Sequence, residues 1–141
     1  MRLTIVNHRD DVRIPTSESE WEDLIGAWIE AEESDKPTSD YDPKWWAVDA
    51  VGLWHLEDEH KALWEFITRV FEKRMSDKAF GVLAAGALED LLACFGNLYI
   101  DRVEELARKN PRFNYLLGGV WKNAMTDDVW VRVEKARLAV W

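Results

Sequence analysis

The sequence predicts an all-α fold of about seven helices in an irregular bundle. Apolar residues recur three and four positions apart through most of the 141 residues, as they do along one face of a helix. Capping residues precede most of these runs, and no alternating segment forms a convincing β-hairpin. From Ser76 onward, helix starts recur roughly every 15 to 20 residues, which leaves helical-repeat-like stacking open beside an irregular bundle. The length suits a single domain over residues 1–141.

The first 42 residues are predicted to form an acidic arm and the first helix. Residues 1–15 alternate weakly and end at Pro15, which predicts an extended arm and leaves a short strand open. Ser17 and Glu20 fit a capping box at a helix start. The helix runs through about Glu33, and residues 34–41 are predicted to be a flexible loop around Lys36-Pro37. Its apolar face consists of Trp21, Leu24, Ile25, Trp28 and Ile29.

The body, residues 43–141, contains the other predicted helices. A polar segment from His55 to His60 joins the second to the third, and Gly96 is expected to close the fourth in the usual C-terminal position. The predicted starts are at Asp42-Pro43, after the polar segment, and at Ser76, Asn97, Asn110-Pro111 and Thr126. The corresponding apolar stripes end near Trp54, Lys73-Arg74, Gly96, Lys109, Trp121 and Val140.

The charge lies almost entirely in the N-terminal third. The chain has 27 acidic and 18 basic residues, a formal net charge of −9. Residues 1–42 hold twelve acids and four bases, a net of −8, and residues 43–141 contribute only −1. A negative field of this kind disfavours nucleic acid and anionic membranes, whose binding depends on Lys and Arg. It favours a basic protein partner.

The sequence predicts a cytoplasmic protein without a membrane span. The single cysteine, Cys94, cannot form an internal disulfide, and the N-terminal apolar run is too short for a signal-peptide core. The longest apolar stretch, from Ala79 to Ile100, carries Glu89 and Asp90 in its middle, which is typical of a core helix.

Several linked segments in the body resemble a bacterial family catalogued as domain of unknown function 6869. They are residues 82–92, Phe95-Gly96, residues 99–107, residues 110–113, residues 117–121 and residues 128–130, and the resemblance covers about residues 45–137. It implies a shared helical fold and a bacterial origin, and it brings no assigned activity. The sequence has Ala87 where proline is expected and Phe95 where histidine is expected before Gly96. If the family uses that histidine chemically, this chain cannot.

The segment from His55 to His60 holds two imidazoles and three carboxylates. On a continuous helix, His55 and Glu59 would share a face and His60 would be rotated away. Zinc needs three or four ligands in tetrahedral geometry, which His55, Glu59 and His60 supply only if the segment bends. The alternative is a solvated connection whose acids lie at a helix N-terminus. No cofactor is predicted.

Glu89 and His60 are the candidates for acid–base catalysis. Glu89 lies in the most apolar helix, where burial can raise the pKa of a carboxyl group. The alternative is an ion pair with Arg102, Arg108 or Arg112. Cys94 is interpreted as a core or half-core thiol, since a helix C-terminus does not activate a nucleophile.

The nine tryptophans suggest an interaction surface. Trp45 and Trp46 are adjacent, so they point about 100° apart on a helix and cannot both enter one core. One is expected at a groove edge near the acidic helix, and Trp141 is a second partner-facing candidate. Alternatively, these rings lie flat on their own surface. The predicted core tryptophans are Trp21, Trp28, Trp54, Trp64, Trp121 and Trp130, and the predicted partner-binding residues are Trp45, Trp46, Glu22, Glu30, Glu33 and Trp141.

These observations favour a non-enzymatic interaction module, similar to an immunity protein or an inhibitor, that engages a basic partner. One alternative is a small metal-dependent or acid–base hydrolase that uses the His55–His60 segment and Glu89. Another is a structural subunit of a homo-oligomer that buries tryptophans between copies.

Overall fold

A computed structural model describes residues 12–34 and 43–141. This part of the chain is helical and contains no strand, which confirms the all-α prediction. Within these residues, six helices follow one another in a bundle, close to the predicted number of about seven. They are α1 (Glu18–Glu33), α2 (Trp45–Trp54), α3 (His60–Val70), α4 (Asp77–Lys109), α5 (Pro111–Leu117) and α6 (Asp127–Ala136).

Side-chain caps begin four of these helices at the predicted residues. Ser17, Ser76, Asn110 and Thr126 each accept a hydrogen bond from a backbone N–H two or three positions ahead. The Glu20 carboxylate accepts from Thr16 rather than from the Ser17 backbone. Helix α2 has no side-chain cap; it begins after Lys44, and the proposed cap Asp42 lies outside the described residues.

Helix α4 unites the predicted fourth and fifth helices. It contains a π-helical segment over Leu83–Leu88 and a kink at Phe95, where φ is −134° and ψ is 29°. Gly96 therefore lies inside a helix and does not end one. A Cβ atom at Gly96 would lie 2.8 Å from Val129 Cγ2 of α6, so the glycine allows α6 to approach the kink closely.

The same helix forms the centre of the bundle. By length and apolar composition α4 could cross a membrane, but 56% of its most apolar stretch is buried against the rest of the protein. A core helix of a helical bundle has this composition because it is covered on most sides.

Helix α1 shares the core of the body. It packs along α2 and also contacts α3 and the first turns of α4. Trp54 of α2 meets Trp21 edge-on, with ring centroids 5.9 Å apart, and Phe66 of α3 meets Trp28 at 5.3 Å. These geometries are favourable for aromatic pairs and join the acidic helix to the body.

The C-terminal tail folds back onto α5. Helix α5 ends at Leu117, α6 ends at Ala136, and the Trp141 N–H donates to the Gly118 carbonyl at 3.1 Å. Because α5 ends at Leu117 and residues 118–119 form a turn, Trp121 does not continue the apolar stripe of α5. Its side chain is 69% exposed, so its assignment to the core was wrong. Trp21, Trp28 and Trp54 are buried, and Trp64 and Trp130 pack half-buried against the core.

Candidate functional site

The side chain of Trp46 lines a groove between the N-terminal segment, α1 and α2. We name it the arm groove and call residues 12–16 the arm segment. The groove has a volume of about 400 Å³. Its lining combines an indole, aliphatic side chains, two carboxylates and one guanidinium, from Val12, Arg13, Ile14, Pro15, Glu20, Asp23, Leu24 and Trp46.

The arm segment is held in place through Arg13. The Trp54 Nε1–H donates a hydrogen bond of 3.0 Å to the Arg13 carbonyl. The Arg13 guanidinium carbon lies 5.4 Å from the ring centroid of Trp46, within the range of a cation–π interaction. The groove therefore already holds a cation against an indole ring.

Apart from Glu32, the acids of α1 divide into two stripes by helical periodicity. On one side, Glu18 pairs with Arg69 at 2.7 Å and Glu22 with Lys73 at 3.2 Å. Farther along that side, Glu33 accepts a hydrogen bond of 2.6 Å from the Ser76 N–H. We call these three residues, Glu18, Glu22 and Glu33, the bonded acids because α3 and the segment between α3 and α4 satisfy them.

The other stripe consists of Glu20, Asp23 and Glu30, the groove-side acids. Glu20 and Asp23 line the arm groove, and Glu30 lies about two helical turns beyond Asp23. Thr16 donates two hydrogen bonds to Glu20, and these lower the pKa of that carboxyl. Within residues 12–34 and 43–141, no hydrogen bond or ion pair engages the carboxylates of Asp23 and Glu30. This stripe is thus the side of α1 with carboxylates available to an external cation.

The predicted partner-binding residues do not form one surface. Trp46 lines the arm groove, as expected of one of the adjacent pair, while Trp45 is half-buried at the first position of α2. Glu30 belongs to the groove-side acids, but Glu22 and Glu33 are bonded acids. The ring of Trp141 stacks on Tyr115 at 5.1 Å, at the C-terminal end of the chain.

Sequence reasoning missed Arg13, Glu20 and Asp23 as groove residues. The position of the two acids could have been read from α1 itself, because Trp21 and Leu24 define its buried face and place Asp23 at the border of that face. The position of Arg13 depends on its carbonyl reaching Trp54, which no local pattern indicates.

The two histidines of the candidate metal segment have separate neighbours. His55 Nδ1 lies 3.7 Å from Asp90 Oδ2. His60 Nδ1 is 2.7 Å from the hydroxyl of Tyr99, and its ring lies 4.9 Å from that of Phe95. Residues 55–58 form a turn, and Glu59 directly precedes α3. In the described part of the chain, no three His, Cys, Asp or Glu side chains come together in a way that could hold a metal ion.

The buried carboxylate of Glu89 has a structural role. It accepts hydrogen bonds from the Trp121 N–H at 2.9 Å and from Asn123 Nδ2 at 3.0 Å. The expected pairing with Arg102, Arg108 or Arg112 was wrong, because Glu89 instead bonds the loop that follows α5. Its two oxygens hold that loop against α4.

A second, smaller cleft contains two other carboxylates. Glu32 of α1 and Asp90 of α4 line a space of about 100 Å³ beside the π-helical segment. Burial raises the pKa of Glu32, and the nearby Lys78 opposes the shift in part. Burial also raises the pKa of Asp90, with His55 opposing it and Glu89 adding to it.

The thiol of Cys94 is exposed, so its assignment to the core or its edge was wrong. Partial burial of the sulfur and the nearby Asp90 raise its pKa. Both effects disfavour the thiolate, which is the nucleophilic form.

The family resemblance is confirmed by comparison with known proteins. A model of a family of unknown function, DUF6869, matches residues 34–140. Neither a curated protein nor a solved structure shows a significant match. Trp46 lies inside the matched region, whereas the arm segment and α1 precede it, so the arm groove forms where the two parts meet. The chain belongs to the DUF6869 family, whose function is unknown.

Proposed function

We propose that this protein is a non-enzymatic interaction module that binds a basic protein partner through the arm groove, as an immunity protein or an inhibitor would. One observation carries the proposal. The face of Trp46 lies in a groove with Asp23 and already has a guanidinium stacked on it at 5.4 Å.

The groove offers the two interactions that recognise an arginine or lysine side chain. An indole face attracts a cation, and a neighbouring carboxylate accepts its hydrogen bonds. Leu24, Ile14 and Pro15 supply apolar lining for the aliphatic part of such a side chain. Tryptophan in a groove with a charged rim is also the composition of many interface hot spots.

The charge distribution supports the same partner class. The first 42 residues carry a net charge of −8, and a concentrated field of one sign accelerates the encounter with an oppositely charged protein. Association through exposed charges weakens as salt rises, because the screening length is about 8 Å at physiological ionic strength. We therefore expect binding that is strong at low salt and steeply salt-dependent.

The hydrolase alternative has less support from the geometry. Both oxygens of Glu89 accept hydrogen bonds from the loop after α5, and His60 is bonded to Tyr99. A general acid or base needs a titratable nitrogen or oxygen atom that is free to exchange a proton with a substrate. The arm groove, in contrast, presents the carboxylate of Asp23, which has no partner among the described residues.

The test measures the affinity for a hexa-arginine peptide at low salt by titration calorimetry. The variant Asp23→Lys/Glu30→Lys reverses the charge at the two groove-side acids that have no partner among the described residues. We expect it to weaken binding about tenfold, because two attractive contacts with the peptide are replaced by repulsive ones. The control Glu72→Lys/Glu134→Lys makes the same change in net charge at two exposed acids outside the groove. Glu72 lies in the turn after α3, and Glu134 lies on α6. We expect this control to weaken binding much less.

Two outcomes would contradict the proposal. If both double variants weaken binding equally, the attraction comes from net charge and not from the arm groove. If Trp46→Leu binds as well as Trp121→Leu, which removes an exposed indole far along the chain, the ring of Trp46 has no part in recognition. Urea unfolding of each variant establishes that the fold is retained.

A further inference from the structure

The arm segment already covers the ring face of Trp46 in the arm groove. Arg13 lies over Trp46, and its carbonyl accepts from Trp54. A guanidinium stacks flat on an indole and keeps its N–H donors for carboxylates, a combination that an ammonium group lacks. The chain thus holds, at its own groove, the kind of side chain that the groove would recognise in a partner.

The attachment of the arm segment is limited. Ile14 is exposed, Pro15 is half-exposed, and residues 12–16 have no helical or strand hydrogen bonding. Val12 packs partly buried against the core. Among the described residues, the arm segment makes one hydrogen bond through the Arg13 carbonyl and two from Thr16 to Glu20 of α1. The arm segment is therefore held by few contacts, so that it can release Trp46 and Trp54 together.

We infer that Arg13 is an internal ligand that occupies the place of a partner's arginine, so that the arm segment competes with the partner for the face of Trp46. This inference rests on the proposed function. The partner is then a protein that presents an arginine on an exposed, extended segment, as the arm segment presents Arg13. The affinity of the full chain is reduced by the need to displace Arg13, since only the open fraction of molecules can bind.

The experiment compares Arg13→Ala with Arg74→Ala in binding to the hexa-arginine peptide. Arg74 is an exposed arginine after α3, so both variants remove one positive charge from the surface. If Arg13 competes, Arg13→Ala binds about two- to fivefold more tightly than Arg74→Ala, as expected from one exposed cation–π contact. Equal affinities, or weaker binding by Arg13→Ala, would overturn the inference.

A second readout follows the indole N–H signal of Trp54 by NMR during titration of the wild-type chain. If the peptide displaces the arm segment, the Trp54 Nε1–H loses its bond to the Arg13 carbonyl and its resonance shifts at saturation. An unmoved Trp54 signal at saturation would show that the arm segment stays in place, contrary to the inference. If neither wild type nor Arg13→Ala binds, the proposed function fails as well; if both bind with affinities equal to that of Arg74→Ala, only the role of Arg13 fails.

Discussion

Two glutamates in apolar surroundings, Glu89 and Glu32, are accommodated in different ways. Glu89 receives hydrogen bonds from a backbone N–H and from Asn123, which satisfy both oxygens. Glu32 lines the cleft beside Asp90, and within the described residues its carboxylate accepts no hydrogen bond. A carboxylate that loses water without gaining donors is more stable when protonated. The pKa of Glu32 is accordingly raised, with burial as the main cause.

The raised pKa predicts that Glu32→Gln stabilises the protein at neutral pH. Because the folded state holds the proton more tightly than the unfolded state, ionisation of Glu32 lowers the free energy of unfolding as pH rises through the raised pKa. Glu32 therefore destabilises the folded wild type at pH 7. It has no such effect at pH values below the pKa of an ordinary carboxyl group. We expect Glu32→Gln to have a higher urea midpoint at pH 7, and the difference to disappear by about pH 3.

A control with the opposite sign is available at Glu105. Lys109 donates a hydrogen bond to this exposed carboxylate and lowers its pKa, so its charged form favours the folded state. Glu105→Gln should give no gain in the urea midpoint at pH 7. A Glu32→Gln midpoint at or below that of the wild type at pH 7 would show that other contacts stabilise the half-buried carboxylate of Glu32 in its charged form.

At the scale of elements, α4 combines three irregular features in one helix. The π-helical segment over Leu83–Leu88 adds a residue to the turn, and the kink at Phe95 redirects the second half. Gly96 follows the kink and packs against Val129 of α6. These features together let one helix contact α3, α5 and α6 along its length.

The contact between Gly96 and α6 predicts a coupled pair of substitutions. A Cβ at Gly96 would overlap Val129 Cγ2, at 2.8 Å, so Gly96→Ala should lower the free energy of unfolding by about 1–3 kcal/mol through overpacking. In a Val129→Ala background the overlap is removed, and the same change should cost less than about 0.5 kcal/mol. Urea unfolding of the four proteins in this cycle measures the coupling.

Gly26 provides the reference for a helical glycine without a steric neighbour. A Cβ there would have no atom within 4 Å, so Gly26→Ala should stabilise the protein by about 0.5–1 kcal/mol through backbone entropy alone. If Gly96→Ala costs the same with and without the Val129 side chain, the loss comes from the kink itself and not from the packing of α6.

Across the whole molecule, what could be predicted from the sequence was local. The caps at Ser17, Ser76, Asn110 and Thr126 follow from hydrogen bonds that span two or three residues, and the buried stripe of α1 follows from periodicity. The acidic character of α1 and a tryptophan at its edge also followed from composition and spacing.

The features that could not be predicted depend on contacts between distant parts of the chain. Glu89 meets Trp121 across 32 positions, and the Arg13 carbonyl meets Trp54 across 41. The returning tail packs beside the residues that follow α5, where Trp141 occupies the space next to Gly119. A helical pattern over 113–121 cannot indicate that Trp141 packs against residues 118–119.

The returning tail predicts that two partly exposed tryptophans differ in their importance for stability. Trp141 is 41% exposed but stacks on Tyr115 and Phe80, and its indole donates a hydrogen bond of 2.6 Å to the Tyr115 carbonyl. Trp141→Ala removes these contacts and uncovers Gly118 and Gly119, so we expect the free energy of unfolding to fall by about 1–3 kcal/mol.

Trp121→Ala is the matched change, because the Trp121 side chain is 69% exposed and its backbone N–H keeps the bond to Glu89. Such a substitution should alter stability by less than about 0.5 kcal/mol. Urea unfolding of the two variants beside the wild type gives the comparison. Equal small losses would mean that the tail lies on α5 without stabilising it. A large loss of unfolding free energy confined to Trp141→Ala would show that this ring joins α4 to α5 through Phe80 and Tyr115. The buried face of α1 joins the N-terminal third to the body in the same way.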